Sequence, residues 1–255
     1  MYTNIKGQKI YYEVQGEGRP IVLLHGWGTS LRLYDDVVKY LKENFKVYTL
    51  DFPGFGQSEE PSDIWSVYDY ADMTESFLNE MNIQKPILMG HSFGGRISII
   101  LGSRIKVDKI ILVDAAGIKP SRGMTYYRKV YFYKAMKLVE KMPGIRSLFG
   151  DLIDAYKYKA GSSDYKSASQ TMRRVLSKVV NDDLQEHLPK ITAPTLLIWG
   201  SEDKATPVSD GKLMEEKIKD SALIVFEGVG HYSYLEKPHD FKAIVTSFVK
   251  EDGND

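Results

Sequence analysis

Six short apolar runs restrict the fold of this chain more than any other feature of its sequence. Each run has three to five residues and contains no charged side chain, so both faces of the strand it predicts would be buried. Strands of this kind are typical of a parallel sheet that is covered by helices on both sides. The runs occupy residues 21–24, 47–50, 87–89, 110–113, 195–198 and 222–226.

Helical patterns lie between these runs. Apolar residues recur every three or four positions from Tyr70 to Met81 and from Ile97 to Leu101, which gives each segment one stripe that can face a sheet. Ahead of the first run, residues 10–14 follow a turn at Gly7 and predict a hairpin. The alternation of strand and helix predicts an α/β fold.

The alternation stops between Gly117 and Lys190. Apolar residues recur at helical spacing from Tyr127 to Met142 and again from Ala168 to Val179, and no apolar run separates the two patterns. We therefore predict one core domain made of residues 1–116 and 191–255, interrupted by an all-helical insertion at 117–190.

Composition and charge narrow the classes of function. The 255 residues include no cysteine, and the five histidines show no spacing typical of a metal site, so we expect neither a metal nor another cofactor. The formal net charge is zero, so we expect no nucleic-acid partner. The N-terminus lacks the pattern of a signal peptide and no apolar run approaches the ~20 residues that span a bilayer. We expect a cytoplasmic protein without a membrane partner, whose oligomeric state the sequence leaves open.

The segment Gly90-His91-Ser92-Phe93-Gly94 fits the pattern G-x-S-x-G between a predicted strand and a predicted helix. In that setting the serine occupies a sharp, strained turn, and the flanking glycines avoid collisions between side chains and backbone. The backbone N–H of Phe93, at the start of the helix, can bind a developing oxyanion. Ser92 is thus our candidate nucleophile.

A base and an acid are expected later in the chain, on loops after strands. His231 follows the last apolar run and can accept the serine proton through Nε2. Asp203 follows the run at 195–198 and is our candidate for the acid, while Glu202 and Asp114 remain competing carboxylates.

The loop His25-Gly26-Trp27-Gly28 follows the first apolar run. Its glycines allow the backbone N–H of Trp27 to approach the same oxyanion as the N–H of Phe93. We interpret His25 and His91 as structural residues that hold this loop and the serine turn.

These motifs, in this order, resemble the α/β-hydrolase fold family over almost the whole chain. The resemblance implies an eight-stranded, mostly parallel sheet flanked by helices, and an all-helical lid at 117–190. It also implies a triad of Ser92, Asp203 and His231, with oxyanion amides at Trp27 and Phe93. The motifs that carry it are HGWG at 25–28, DFPGFGQS at 51–58, GHSFGG at 90–95, GSED at 200–203 and GH at 230–231.

The resemblance implies a serine hydrolase that acts on a small-molecule acyl substrate of the carboxylic ester type through an acyl-enzyme. A serine at position 92 disfavours the epoxide-opening and dehalogenating members, which carry an aspartate there. Members that hydrolyse carbon–carbon bonds in ring-fission diketones, and slow-turnover small-molecule receptors that retain the triad, share the same motifs and remain alternatives.

Overall fold

The computed structural model of the protein describes residues 1–119 and 168–250. Within these ranges eight strands form one sheet, in the spatial order β1-β2-β4-β3-β5-β6-β7-β8. The strands are β1 (Tyr2–Ile5), β2 (Gln8–Gln15), β3 (Arg19–Leu24), β4 (Phe45–Leu50), β5 (Ile87–His91), β6 (Ile110–Val113), β7 (Thr195–Gly200) and β8 (Ser221–Phe226).

The sheet is mostly parallel. Strands β3 to β8 pair in parallel with their neighbours, and only β2 runs antiparallel, to β1 on one side and to β4 on the other. The hairpin between β1 and β2 turns at Lys6 and Gly7, both with positive φ (52° and 82°), as a tight two-residue hairpin turn requires. The predicted α/β fold, including the N-terminal hairpin, is confirmed.

Helices cover both faces of the sheet. Within the two described ranges the longest helix, α2, has 14 residues, and none is long and apolar enough to cross a bilayer. The α-helices of the described ranges are α1 (Asp35–Leu41), α2 (Val67–Glu80), α3 (Phe93–Arg104), α4 (Gln170–Val179), α5 (Val208–Lys217), α6 (Ser233–Glu236) and α7 (Pro238–Val249), with short 3-10 helices at Leu31–Tyr34 and Leu188–Lys190.

Successive side chains of the central strands point into two different apolar clusters. Val22 and Leu24 of β3 pack with residues of α2, α3 and α5, whereas Ile21 and Leu23 pack with residues of α1 and α7. Both sets are fully buried, which explains why the central strands appear in the sequence as uninterrupted apolar runs.

The predicted insertion is described only at its two ends, because residues 120–167 lie outside the described ranges. Its C-terminal part forms α4, whose Met172, Val175 and Val179 are buried in the same cluster as α2 and α3. The N–H of Leu184 donates to the carbonyl oxygen of Gly117 at 2.8 Å, so the two ends of the insertion meet. The division into core and lid remains a prediction.

Candidate active site

Ser92 is the single residue between a strand and a helix, at the carboxyl edge of the sheet. Strand β5 ends at His91 and α3 begins at Phe93, and Ser92 has φ 50° and ψ −108°, a conformation that is rare for a residue with a side chain. Its N–H donates to the carbonyl oxygen of Val113 at 3.1 Å, and its own carbonyl oxygen accepts from Ala116 at 3.0 Å. Strand β6 and the segment after it therefore hold the strained turn in place.

The turn is possible because the backbone packs directly against backbone on both sides of the serine. A Cβ at Gly94 would overlap the carbonyl oxygen of Leu24, and a Cβ at Gly90 would overlap the carbonyl oxygen of Gly94. No side chain fits at either position, which is the reason that the G-x-S-x-G spacing predicts this turn.

The structure brings Ser92, His231 and Asp203 together in one hydrogen-bonded chain. The Oγ of Ser92 lies 2.9 Å from Nε2 of His231, and Nδ1 of the same ring lies 2.7 Å from Oδ2 of Asp203. An ionised carboxylate can only accept, so Nδ1 carries the hydrogen and Nε2 is free to accept the serine proton. Ser92 comes from the end of β5, and the other two come from the loops after β7 and β8.

Asp203 is held in the ionised form that this tautomer needs. Burial raises the pKa of its carboxyl, but hydrogen bonds from His231 and Thr206 outweigh burial and hold the pKa below its ordinary value of 3.8. The Oδ1 atom accepts the backbone N–H groups of Ala205 at 2.7 Å and Thr206 at 3.0 Å. These two bonds fix the carboxylate so that Oδ2 faces the imidazole.

The two competing carboxylates lie elsewhere. Glu202 is exposed, while Asp114 is fully buried and its carboxylate accepts backbone N–H groups from Gly200 and Ser233, at 2.9 Å each. Neither carboxylate is hydrogen-bonded to His231, so Asp203 is the one that the geometry pairs with the ring.

Two backbone N–H groups next to Ser92 lack an acceptor within the described part of the chain, those of Trp27 and Phe93. Phe93 is the first residue of α3, where a helix leaves its N–H groups unpaired. A Cβ placed on Gly26 would lie 3.4 Å from the Cβ of Ser92, so the loop that carries Trp27 runs alongside the serine. That both N–H groups bind an oxyanion at Ser92 stays a prediction.

His25 and His91 hold the loops around the serine. Nε2 of His25 accepts the N–H of Phe52 at 3.0 Å, and Nδ1 donates to the carbonyl oxygen of Gly26 at 2.8 Å. Nε2 of His91 donates to the carbonyl oxygen of His231 at 2.8 Å, and therefore connects the serine turn to the loop that carries the candidate base. These contacts agree with a structural interpretation of both histidines.

We expect His91 to make folding stability depend on pH. Burial lowers the pKa of His91 from its ordinary 6.5 to about 3, so below pH 6.5 the unfolded chain binds a proton that the folded chain does not. Stability present above pH 6.5 is therefore lost as the pH falls. Between about pH 7.5 and 5.5, wild type should lose about 1 kcal/mol more unfolding free energy than His91→Gln, as measured by urea denaturation.

The exposed His239 provides the control for this measurement, because His239→Gln should reproduce the pH dependence of the wild type. The same pH dependence in wild type and His91→Gln would contradict the prediction.

Thr206 is a site residue that the sequence did not indicate. Its Oγ lies 2.6 Å from Oδ2 of Asp203, 3.3 Å from Nδ1 of His231 and 2.9 Å from the carbonyl oxygen of Asp114. A signal for it is its position three residues after the aspartate, where an Asx-type turn brings backbone and side-chain donors onto the carboxylate.

Comparison with known proteins identifies the fold family. A family model described as the alpha/beta hydrolase fold matches residues 19–238, which is more than half of the chain. A solved structure of an esterase from Exiguobacterium antarcticum superimposes with a TM-score of 0.76 at 26% identity, covering 98% of this chain and 98% of that one.

Two curated relatives carry names that state a reaction. One is the pimeloyl-[acyl-carrier protein] methyl ester esterase of Proteus mirabilis, 25% identical over 250 residues, which cover 91% of this chain and 94% of the relative. The other is the 2-hydroxy-6-oxo-6-(2'-aminophenyl)hexa-2,4-dienoic acid hydrolase of Metapseudomonas resinovorans, 24% identical over 270 residues, covering 97% of this chain and 90% of the relative.

Proposed function

The chain belongs to the alpha/beta hydrolase fold family, and from this premise we propose that it is a serine hydrolase of small carboxylic esters that works without a cofactor. The observation that carries the proposal is the hydrogen-bonded chain from Ser92 through His231 to Asp203. The esterase names among its relatives support the substrate class.

In the first half of the proposed reaction, the Oγ of Ser92 attacks the ester carbonyl carbon while its proton passes to Nε2 of His231. The carbonyl π electrons move onto oxygen, and the N–H groups of Trp27 and Phe93 bind the oxyanion that results. Asp203 accepts the hydrogen bond from Nδ1 and stabilises the imidazolium. The oxyanion then collapses, the bond to the alkoxy oxygen breaks, and the departing alcohol takes the proton from Nε2.

In the second half, water replaces the alcohol. Nε2 of His231 removes a proton from water as its oxygen attacks the acyl-enzyme carbonyl, the same two N–H groups bind the second oxyanion, and the bond to Oγ of Ser92 breaks. The proton returns from Nε2 to Oγ and the carboxylic acid leaves. Each residue thus acts twice, and the site ends in its starting state.

The rings beside the serine favour an apolar acyl group. The indole of Trp27 packs edge-on against Phe93, with ring centroids 5.4 Å apart, and against Phe55, 4.8 Å apart. Trp27 and Phe55 are only half-buried, so part of their apolar surface remains open beside the candidate nucleophile. Apolar surface of this kind binds hydrocarbon groups.

Hydrolysis of a carbon–carbon bond in a ring-fission diketone is the second candidate function. The observation that favours it is the similarity to the hydrolase from Metapseudomonas resinovorans, whose name describes a hydroxy-oxo-dienoic acid substrate. The same three side chains and two N–H groups can serve that reaction, so substrate comparison decides between the two.

A fluorophosphonate probe and short esters test the proposal together. The probe reacts covalently with activated serines, so we expect mass spectrometry to find one label per chain, on Ser92, and none in Ser92→Ala. Purified protein should also turn over p-nitrophenyl acetate or butyrate, measured by release of nitrophenolate.

The outcomes separate the candidate functions. Failure of the wild type to take up the label contradicts the serine hydrolase. Labelling without ester turnover contradicts the esterase, and a ring-fission diketone then distinguishes the carbon–carbon hydrolase from a receptor that retains the three residues.

A further inference from the structure

Like the candidate acid Asp203, Asp114 is a buried aspartate, but the proposed reaction does not use it. It follows directly after β6 with φ 44°, in the left-handed region that side chains rarely adopt, and none of its surface is exposed. Strained backbone that persists in a folded protein is typical of functional sites.

The carboxylate of Asp114 joins the two loops that carry the candidate acid and base. Oδ1 accepts the N–H of Gly200, three residues before Asp203, and Oδ2 accepts the N–H of Ser233, two residues after His231. Both bonds are 2.9 Å long. The last residue before the loop of the acid and the first residue after the loop of the base therefore meet on a single side chain.

The backbone of the same residue reaches the acid by a further route. The carbonyl oxygen of Asp114 lies 2.9 Å from Oγ of Thr206, which also lies 2.6 Å from Oδ2 of Asp203. Asp114 thus contacts the segments before and after the acid, as well as the segment after the base.

Burial and the nearby Asp203 disfavour a charge on the carboxylate of Asp114. The ionisable groups that interact electrostatically with the carboxylate are Asp203, Tyr34 and Tyr234. No Lys or Arg in the described ranges forms an ion pair with it. Burial raises the pKa of Asp114 to about 6, against the opposing effect of its hydrogen bonds. A buried carboxylate without a cation costs folding free energy, which the hydrogen bonds from the N–H groups of Gly200 and Ser233 have to offset.

We propose that Asp114 is a positioning residue that sets the distance and orientation between Asp203 and His231 through its two backbone hydrogen bonds. This proposal rests on the proposed function, since it concerns the same reaction. The carboxylate accepts on both oxygens, and a neutral amide at this site has only one oxygen with which to accept. An amide therefore releases one of the two loops.

Asp114→Asn tests the assignment with a side chain of the same size that tolerates the left-handed backbone. We expect kcat for a p-nitrophenyl ester to fall by between about tenfold and a hundredfold, the cost of a small misplacement of catalytic groups. KM and Tm should stay near the wild-type values, because the substrate pocket is untouched and the buried charge is removed. The downfield proton resonance of Nδ1 of His231 should weaken.

Asp114→Gly provides a second variant whose backbone adopts φ 44° without strain, so the test remains decisive if the asparagine variant does not fold. The control is Asp69→Asn. The carboxylate of Asp69 accepts the backbone N–H of Ser66 at 2.6 Å at the start of α2, and neither residue belongs to a loop of the candidate site. Its kcat should remain near that of the wild type.

A folded Asp114→Asn or Asp114→Gly with wild-type kcat overturns the assignment, and so does a rise in KM at unchanged kcat. An equal loss of kcat in Asp69→Asn also overturns it. Wild-type protein that neither hydrolyses the ester nor takes up the fluorophosphonate label contradicts the proposed function instead, so the two failures are distinguishable.

Discussion

Replacing Ser92 with alanine should lower kcat/KM for a p-nitrophenyl ester by at least about 10⁴-fold, because it removes the atom that forms the acyl-enzyme. Folding should be nearly unaffected. The main contacts of Ser92 with the rest of the fold are backbone hydrogen bonds to Val113, Gly95 and Ala116, which alanine retains. A rate assay beside a thermal melt therefore separates loss of the nucleophile from loss of structure.

Ser103→Ala is the matched control, since Ser103 lies on the same helix and donates its hydroxyl hydrogen to the carbonyl oxygen of Ile100. This variant should keep the wild-type rate. A similar rate loss in both variants, or residual ester turnover in Ser92→Ala within tenfold of the wild type, would contradict the role proposed for Ser92.

The central sheet could be predicted because strands that are buried on both faces appear in the sequence as apolar runs. Strands β3 to β7 contribute fully buried residues to both apolar clusters, and the runs locate all of them. Strand β1 has no apolar run and was indicated only by the turn at Gly7, since it lies at the edge of the sheet and only Ile5 of its residues is buried. An edge strand with one partner needs no apolar run.

Helix α1 was not predicted. It has only seven residues and buries three of them, Val37, Val38 and Leu41, which is too short a stretch to show a helical period clearly. The long helix α2 shows the opposite, because its stripe extends over four turns and its start is fixed by a capping box between Ser66 and Asp69.

The candidate site could be predicted where it depends on a local sequence pattern. The serine turn depends on neighbours in sequence, and the acid and base follow strands whose ends meet at one edge of the sheet. The sequence indicated Asp114 only as a competing acid, because the contacts of its side chain with Gly200 and Ser233 join segments after different strands. Those contacts depend on the order of β6, β7 and β8, which the residues alone do not state. Thr206 was not indicated, although its contact with Asp203 is local.

Asp203→Asn should have the second-largest effect, a fall in kcat of about 10³- to 10⁴-fold with little change in KM. The reason lies in the fixed carboxylate. The N–H groups of Ala205 and Thr206 both donate to Oδ1, so the amide oxygen of asparagine should remain there and the NH₂ group should face His231. The ring must then accept at Nδ1 and carry its hydrogen on Nε2, where it can no longer accept the proton of Ser92.

The adjacent Glu202 gives the control, because Glu202→Gln makes the same chemical change on an exposed side chain and should retain the wild-type kcat. We then expect the loss of kcat to be largest in Asp203→Asn, intermediate in Asp114→Asn and smallest in Glu202→Gln. Stopped-flow measurement of the first turnover checks this order at the acylation step. A larger loss in Glu202→Gln or Asp114→Asn than in Asp203→Asn would mean that another carboxylate orients His231.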